Sequence, residues 1–223
     1  MANAVEKANT IAITDIQAIN GITDDNLQAL NGLEFAGFTP TEGHTLIATA
    51  TASSSSTLSF TSGINSTYDV YEFRFERMHP AAIGQFQFQV NAVGQSGYNE
   101  VMTTTLFMAM HDEQNAYTYL RNEVGQDQAQ GTAYQDLATQ TSTANDSSCA
   151  GVLTLFAPSS TTYVKQFLMT AQNAYNSGNL ARSQNLFAAG YINTTAAINN
   201  VSFKFSSGNI DAGQIKMYGI AKA

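Results

Sequence analysis

Charge is what this sequence has least of. Only 12% of its 223 residues are Asp, Glu, Lys or Arg, about half of the roughly 25% typical of soluble domains. Asn, Gln, Ser and Thr fill the gap. A rim of uncharged hydrogen-bonding side chains is desolvated at less cost than one of Lys and Glu, so such a surface suits permanent protein contacts or sugar recognition. Basic residues are scarcer still: nine against 17 acidic ones leave a net charge of −8. Little is available to neutralise phosphates, and nucleic acid is not an expected partner. No apolar run approaches the roughly 18 residues of a membrane span, so no membrane insertion is expected. Residues 1–10 are polar and lack the apolar stretch of a secretory signal. The single cysteine, Cys149, excludes an intrachain disulfide and fits synthesis in a reducing cytoplasm. With no His or Lys near it in sequence, it reads as a small buried residue rather than a reactive thiol.

Motifs for bond-making chemistry are missing too. His44, His79 and His111 are far apart and belong to no metal-ligand spacing, so no metal site is assigned. There is no GxSxG elbow, P-loop or GxGxxG, and the serine run at 53–56 lacks a recognisable base. No catalytic residue and no cofactor are expected. Glycoside hydrolysis needs only two carboxylates meeting in space about 5 to 9.5 Å apart, which no sequence pattern excludes. Few of the acids lie in apolar strands, so a glycan-degrading enzyme is the least favoured reading. Asp24, Asp25, Asn26 and Asp211 have no calcium-loop spacing and fit caps and turns instead.

What is present is apolar bulk: 43% hydrophobic residues, with 13 Phe and 10 Tyr, enough for one sizeable core. Before that core comes a short repeat. Asp15-Ile16-Gln17-Ala18-Ile19-Asn20-Gly21-Ile22 is matched 11 positions later by Asn26-Leu27-Gln28-Ala29-Leu30-Asn31-Gly32-Leu33. Asp15 and Asn26 fit helix N-caps, and Asn-Gly fits a helix end, which predicts one helical turn per unit. A single turn cannot bury its apolar side alone, so Ile16, Ile19, Leu27 and Leu30 are read as attachment residues of an arm spanning 1–40.

From residue 41 to 223 the pattern is that of strands. Residues 46–52 and the pair Leu58 and Phe60 are expected to form a hairpin. Tyr71, Phe73 and Phe75 alternate with Glu72, Arg74 and Glu76, and Phe86, Phe88 and Val90 with Gln85, Gln87 and Gln89. Both patterns are half-buried strands. Residues 103–110 and 151–156 are more continuously apolar, 164–170 mix the two patterns, and 187–192, 201–205 and 214–220 follow. The polar connection 112–126 is expected to hold a helical turn, and 127–148 a surface excursion or polar edge strand. The fold class expected is all-β: an antiparallel, jelly-roll-like β-sandwich behind an N-terminal arm of helical turns.

Two stretches carry a family resemblance. The closing Ser206-Ser207-Gly208-Asn209-Ile210-Asp211-Ala212-Gly213-Gln214-Ile215-Lys216-Met217-Tyr218-Gly219-Ile220 resembles the ending of many tailed-bacteriophage virion proteins. Gly63-Ile64-Asn65-Ser66-Thr67-Tyr68-Asp69-Val70-Tyr71-Glu72-Phe73 is similar to an opening strand of the same family. The Asn-Gly repeats of the arm also look like N-terminal segments of phage structural proteins. The resemblance implies a non-enzymatic structural component of a virion assembled in the host cytoplasm: a tail fibre, tail adaptor or capsid decoration protein. Its expected partners are other virion proteins and copies of itself, a trimer being the first guess. The alternative is a module for host surface glycans at a fibre tip, with Tyr98, Tyr117, Tyr119 and Tyr134 as stacking platforms.

Overall fold

The computed structural model describes residues 43–177 and 180–220 and, ahead of them, six two-residue strands. Those six form three antiparallel pairs: β1 (Lys7–Ala8) with β2 (Ile11–Ala12), β3 (Ala18–Ile19) with β4 (Ile22–Thr23), and β5 (Ala29–Leu30) with β6 (Leu33–Glu34). The expected helical turns are corrected at Ile19 and Leu30, which lie in strands; Ile16 and Leu27 lie outside the described residues. The reason is turn chemistry. Asn-Gly between two paired residues is the preferred dipeptide of a tight hairpin turn as well as a helix end. The pairs begin at residues 7, 18 and 29, so the 11-residue repeat has a third copy whose Asn9-Thr10 stands where the others have Asn-Gly.

Residues His44–Ile220 form a separate compact unit, an all-β sandwich of two antiparallel sheets. The large sheet runs β12 (Thr118–Asn122), β11 (Met102–Asp112), β17 (Leu180–Ile192), β16 (Lys165–Ser177), β15 (Cys149–Phe156), β9 (Val70–Pro80), β19 (Ile210–Ile220) and β7 (His44–Thr51), with β13 (Ala129–Gly131) also paired to β11. The small sheet runs β14 (Gln135–Thr141), β10 (Gly84–Ala92), β18 (Ile198–Phe205) and β8 (Leu58–Phe60). No two small-sheet strands are consecutive in the chain. Each is entered from and left to the large sheet, which is the jelly-roll-like trait.

The alternating strands fold as their patterns require. Tyr71, Phe73, Phe75, Phe86, Phe88 and Val90 are all buried, and Phe86 stacks on Phe203 across the β10–β18 pair with centroids 5.9 Å apart. From the large sheet, Phe75 meets Phe86 at 5.2 Å and Phe167 meets Phe88 at 5.1 Å, so aromatic rings join the two sheets. Rings at these separations add attraction beyond their buried area. The closing segment also holds: Gly208 and Gly213 have φ of +70° and +123°, a region that suits glycine, while Ile215 and Met217 face the core. Tyr68 packs edge-on against Tyr71 and lies over Gly219, where a Cβ would meet its ring.

Three local expectations are corrected. Residues 46–52 and 58–60 do not form a hairpin; β7 pairs β19 in the large sheet, and β8 pairs β18 in the small one. Leu58 and Phe60 are buried, whereas β7 is largely open, so burial draws β8 away from its neighbour in sequence. Within 112–126 there is no helical turn but β12, which continues from β11 through a tight connection. The Asp112 carboxylate accepts the Ala116 and Tyr117 N–H groups there, at 2.8 and 3.1 Å. Finally, Gln89 does not face solvent but is completely buried. Within 127–148, β14 is the polar edge strand of the small sheet.

Candidate functional site

Two side chains capable of chemistry, Cys149 and Lys165, are enclosed. No group of His, Cys, Asp and Glu among the described residues is placed to hold a metal ion. Burial pushes the Cys149 thiol up to about 12, far from a thiolate at neutral pH. Lys165 is also enclosed. Its Nζ donates to the Tyr163 and Thr194 carbonyls at 2.8 and 3.2 Å, and burial lowers its pKa. No helix among the described residues is long and apolar enough to cross a membrane.

The four tyrosines do not share one platform. Tyr117 is 60% exposed at the turn into β12, and Tyr119 lies in β12 with the Arg121 guanidinium 4.6 Å from its ring. Tyr134 precedes β14 and is covered on one side by Lys204, whose Nζ stands 4.3 Å from the ring. Tyr98 occupies the β10–β11 connection with φ of +50°, its N–H held by Asn91 Oδ1 at 2.7 Å. Only Tyr117 and Tyr119 belong to one hairpin.

A different surface stands out, built by strand alternation in the large sheet. On β11, β17, β16 and β15 the inward positions are buried, including Leu106, Met108, Leu186, Phe167, Met169 and Leu153. Register aligns the outward positions into rows. One runs Val152, Thr170, Phe187, Phe107; the next runs Thr154, Leu168, Ala189, Thr105. Flanking them are Phe156, Gln166, Tyr191, Thr103 on one side and Ala150, Gln172, Asn185, Ala109 on the other. None of these four rows of four contains a charged residue.

The two middle rows set five apolar residues among Thr105, Thr154 and Thr170. Phe107 and Phe187 stack with centroids 5.0 Å apart, yet they remain 43% and 40% exposed, and Leu168 is 55% exposed. Between the side chains lie two shallow depressions. One, of about 410 Å³, is walled by Phe107, Leu168, Phe187 and Val152; the other, of about 360 Å³, by Phe156, Leu168 and Tyr191. Exposed apolar surface gathered in one place marks an interaction site, whereas scattered apolar residues do not. The arrangement can bury area against a partner and present threonine and amide groups around it. Its four rows hold no His, Cys, Asp, Glu, Lys or Arg.

Charge begins one strand further along. On β9 the outward Glu72 accepts Arg74 Nη2 at 2.8 Å and meets His44 Nε2 at 3.0 Å, while Arg74 lies 4.9 Å from the Tyr218 ring. Lys216 on β19 approaches Glu76 at 3.4 Å. The neutral rows are thus bordered by an ion-pair lattice on the same face. Sequence reasoning passed over the neutral surface because Thr, Val, Leu and Phe suit an inward position as well as an outward one. Only the register separates them.

Comparison with protein-family models, with curated proteins and with solved structures finds no match.

Proposed function

We propose that this protein is a non-enzymatic structural component of a tailed-bacteriophage particle. It docks through its N-terminal repeats and presents the β-sandwich as a fibre, tail adaptor or capsid decoration element. The observation that carries the reading is the pairing of two unlike regions. Three two-residue hairpins recur every 11 residues ahead of a compact sandwich whose large sheet carries four uncharged rows on its outer face. A two-residue hairpin is not stable by itself in water, so repeats of this kind need a surface to lie on. The resemblance of residues 63–73 and 206–220 to virion proteins supplies the setting. Other virion proteins and copies of the chain itself, a trimer first, are the partners it implies.

The test is complementation of particles made without this protein, supplied either with the full chain or with residues 44–223. The full chain is expected to appear in purified particles. The truncated chain is expected to fold, by circular dichroism and a cooperative melt, and to be missing from them. Incorporation of both forms would remove the arm from the docking role, and incorporation of neither would remove the virion setting.

A further inference from the structure

We infer that the uncharged rows on the outer face of β15, β16, β17 and β11 are the surface through which copies of this chain meet. The inference deepens the assembly reading above, resting on it only for the premise that the protein works in copies. Three observations converge.

The first is extent. Four strands at about 4.8 Å spacing and about seven residues at 3.4 Å rise make a plane of roughly 19 by 24 Å before side-chain relief is counted. Its roughly 460 Å² is more than half of the roughly 800 Å² per partner buried in a stable interface. Leu120 on β12, 69% exposed and paired with Ala109, extends it.

The second is charge. Two copies each carrying −8 repel one another. The neutral rows are a face on which they can approach without bringing carboxylates together or desolvating an ion pair. A basic partner would find nothing to pair with here and would be drawn instead to the acidic remainder of the surface.

The third is composition. Stacked Phe107 and Phe187, with Leu168 beside them, form an apolar centre. Thr103, Gln166, Gln172 and Asn185 surround it with hydrogen-bonding groups that donate and accept alike. That is a core with a polar rim, and its rim can pair with an identical one.

The test uses the full chain. Light scattering and sedimentation should give the wild type a mass that is a multiple of the 23.9 kDa chain. Leu168→Glu and Phe187→Glu, at outward positions, should fall to the single-chain mass with an unchanged far-ultraviolet spectrum. Thr170→Cys provides a milder probe, since the native thiol is buried. Its maleimide labelling should slow at least tenfold as the protein is concentrated into its associated state, while Ser207→Cys in the β18–β19 turn keeps its rate.

A wild type that is monomeric at 100 µM overturns the inference, as do glutamate variants that keep the wild-type mass or a Thr170→Cys thiol that labels equally in both states. If removing residues 1–43 alone abolishes association, the arm holds the copies and the face does not; docking on particles would then still stand. If the face is open in the purified protein and closed only on particles, a different particle protein covers it, and the inference fails.

Discussion

The outer faces of the two sheets are treated in opposite ways. The small sheet turns polar residues outward and covers one of them, Gln89, with connecting loops. Buried Gln89 donates through Nε2 to the carbonyls of Glu100, Thr132 and Ala133 at 2.9, 3.3 and 3.2 Å, and its Oε1 accepts the Val90 N–H at 2.7 Å. Asp136 on the edge strand accepts Gln87 Nε2 at 2.6 Å. The large sheet turns Phe107, Leu168 and Phe187 outward and leaves them substantially exposed. Connections 93–101 and 132–134 thus cover part of a polar face while an apolar one is left exposed, the distribution of polarity that the proposed contact between copies calls for.

The largest effect that would break this comparison is at Gln89. Gln89→Ala leaves three carbonyls without their shared donor, and urea unfolding should show a loss of about 2–3 kcal/mol. A change below about 0.5 kcal/mol would mean that the loops are held by other groups.

Asp136 comes next. Burial raises its carboxyl to about 6 from 3.8, so the folded state holds this proton more tightly than the unfolded chain does. Stability from this group is present below pH 4 and is lost as pH rises through 6. Asp136→Asn should therefore raise stability at pH 8 by about 1–3 kcal/mol and flatten the fall in melting temperature between pH 4 and 7. An unchanged pH profile would refute it.

Smaller again is the ion-pair lattice beside the neutral rows. Glu72→Gln removes the partner of both Arg74 and His44, and these groups are partly exposed, so the melt should shift by no more than about 1 kcal/mol. The smallest effect should come from Phe187→Thr measured on the dissociated chain. Its unfolding free energy should change by less than about 0.5 kcal/mol, in contrast to about 3–5 kcal/mol for inward Phe73→Ala.

Much of the sandwich was legible in the sequence wherever one face is polar. Tyr71 to Glu76, Phe86 to Val90 and Ile215 to Tyr218 fold as their alternation requires, except at Gln89, where a loop supplies the burial. Sheet membership was not legible. Residues 46–60 look like a hairpin by spacing, and only the depth of Leu58 and Phe60 in the core assigns them to another sheet. The helical turns expected around Ile19 and Leu30 failed because Asn-Gly serves two kinds of turn. The neutral face was half legible: residues 103–110 and 151–156 are more continuously apolar than a strand with one solvent-facing side requires. The sandwich covers one side, so the unexplained remainder of that pattern coincides with the proposed contact.

The position of β19 has a consequence for synthesis. This strand, Ile210–Ile220, lies between β9 and β7 and pairs with both, so its partners are translated more than a hundred residues before it. Until residue 220 clears the ribosome, β9 lacks a neighbour on one side and β7 has no sheet to join. At roughly 5–20 residues per second, the nascent chain holds an incomplete large sheet for many seconds, and a chain cut short before residue 210 cannot repair the gap. The large sheet that carries the neutral face is therefore closed only in a copy translated through residue 220.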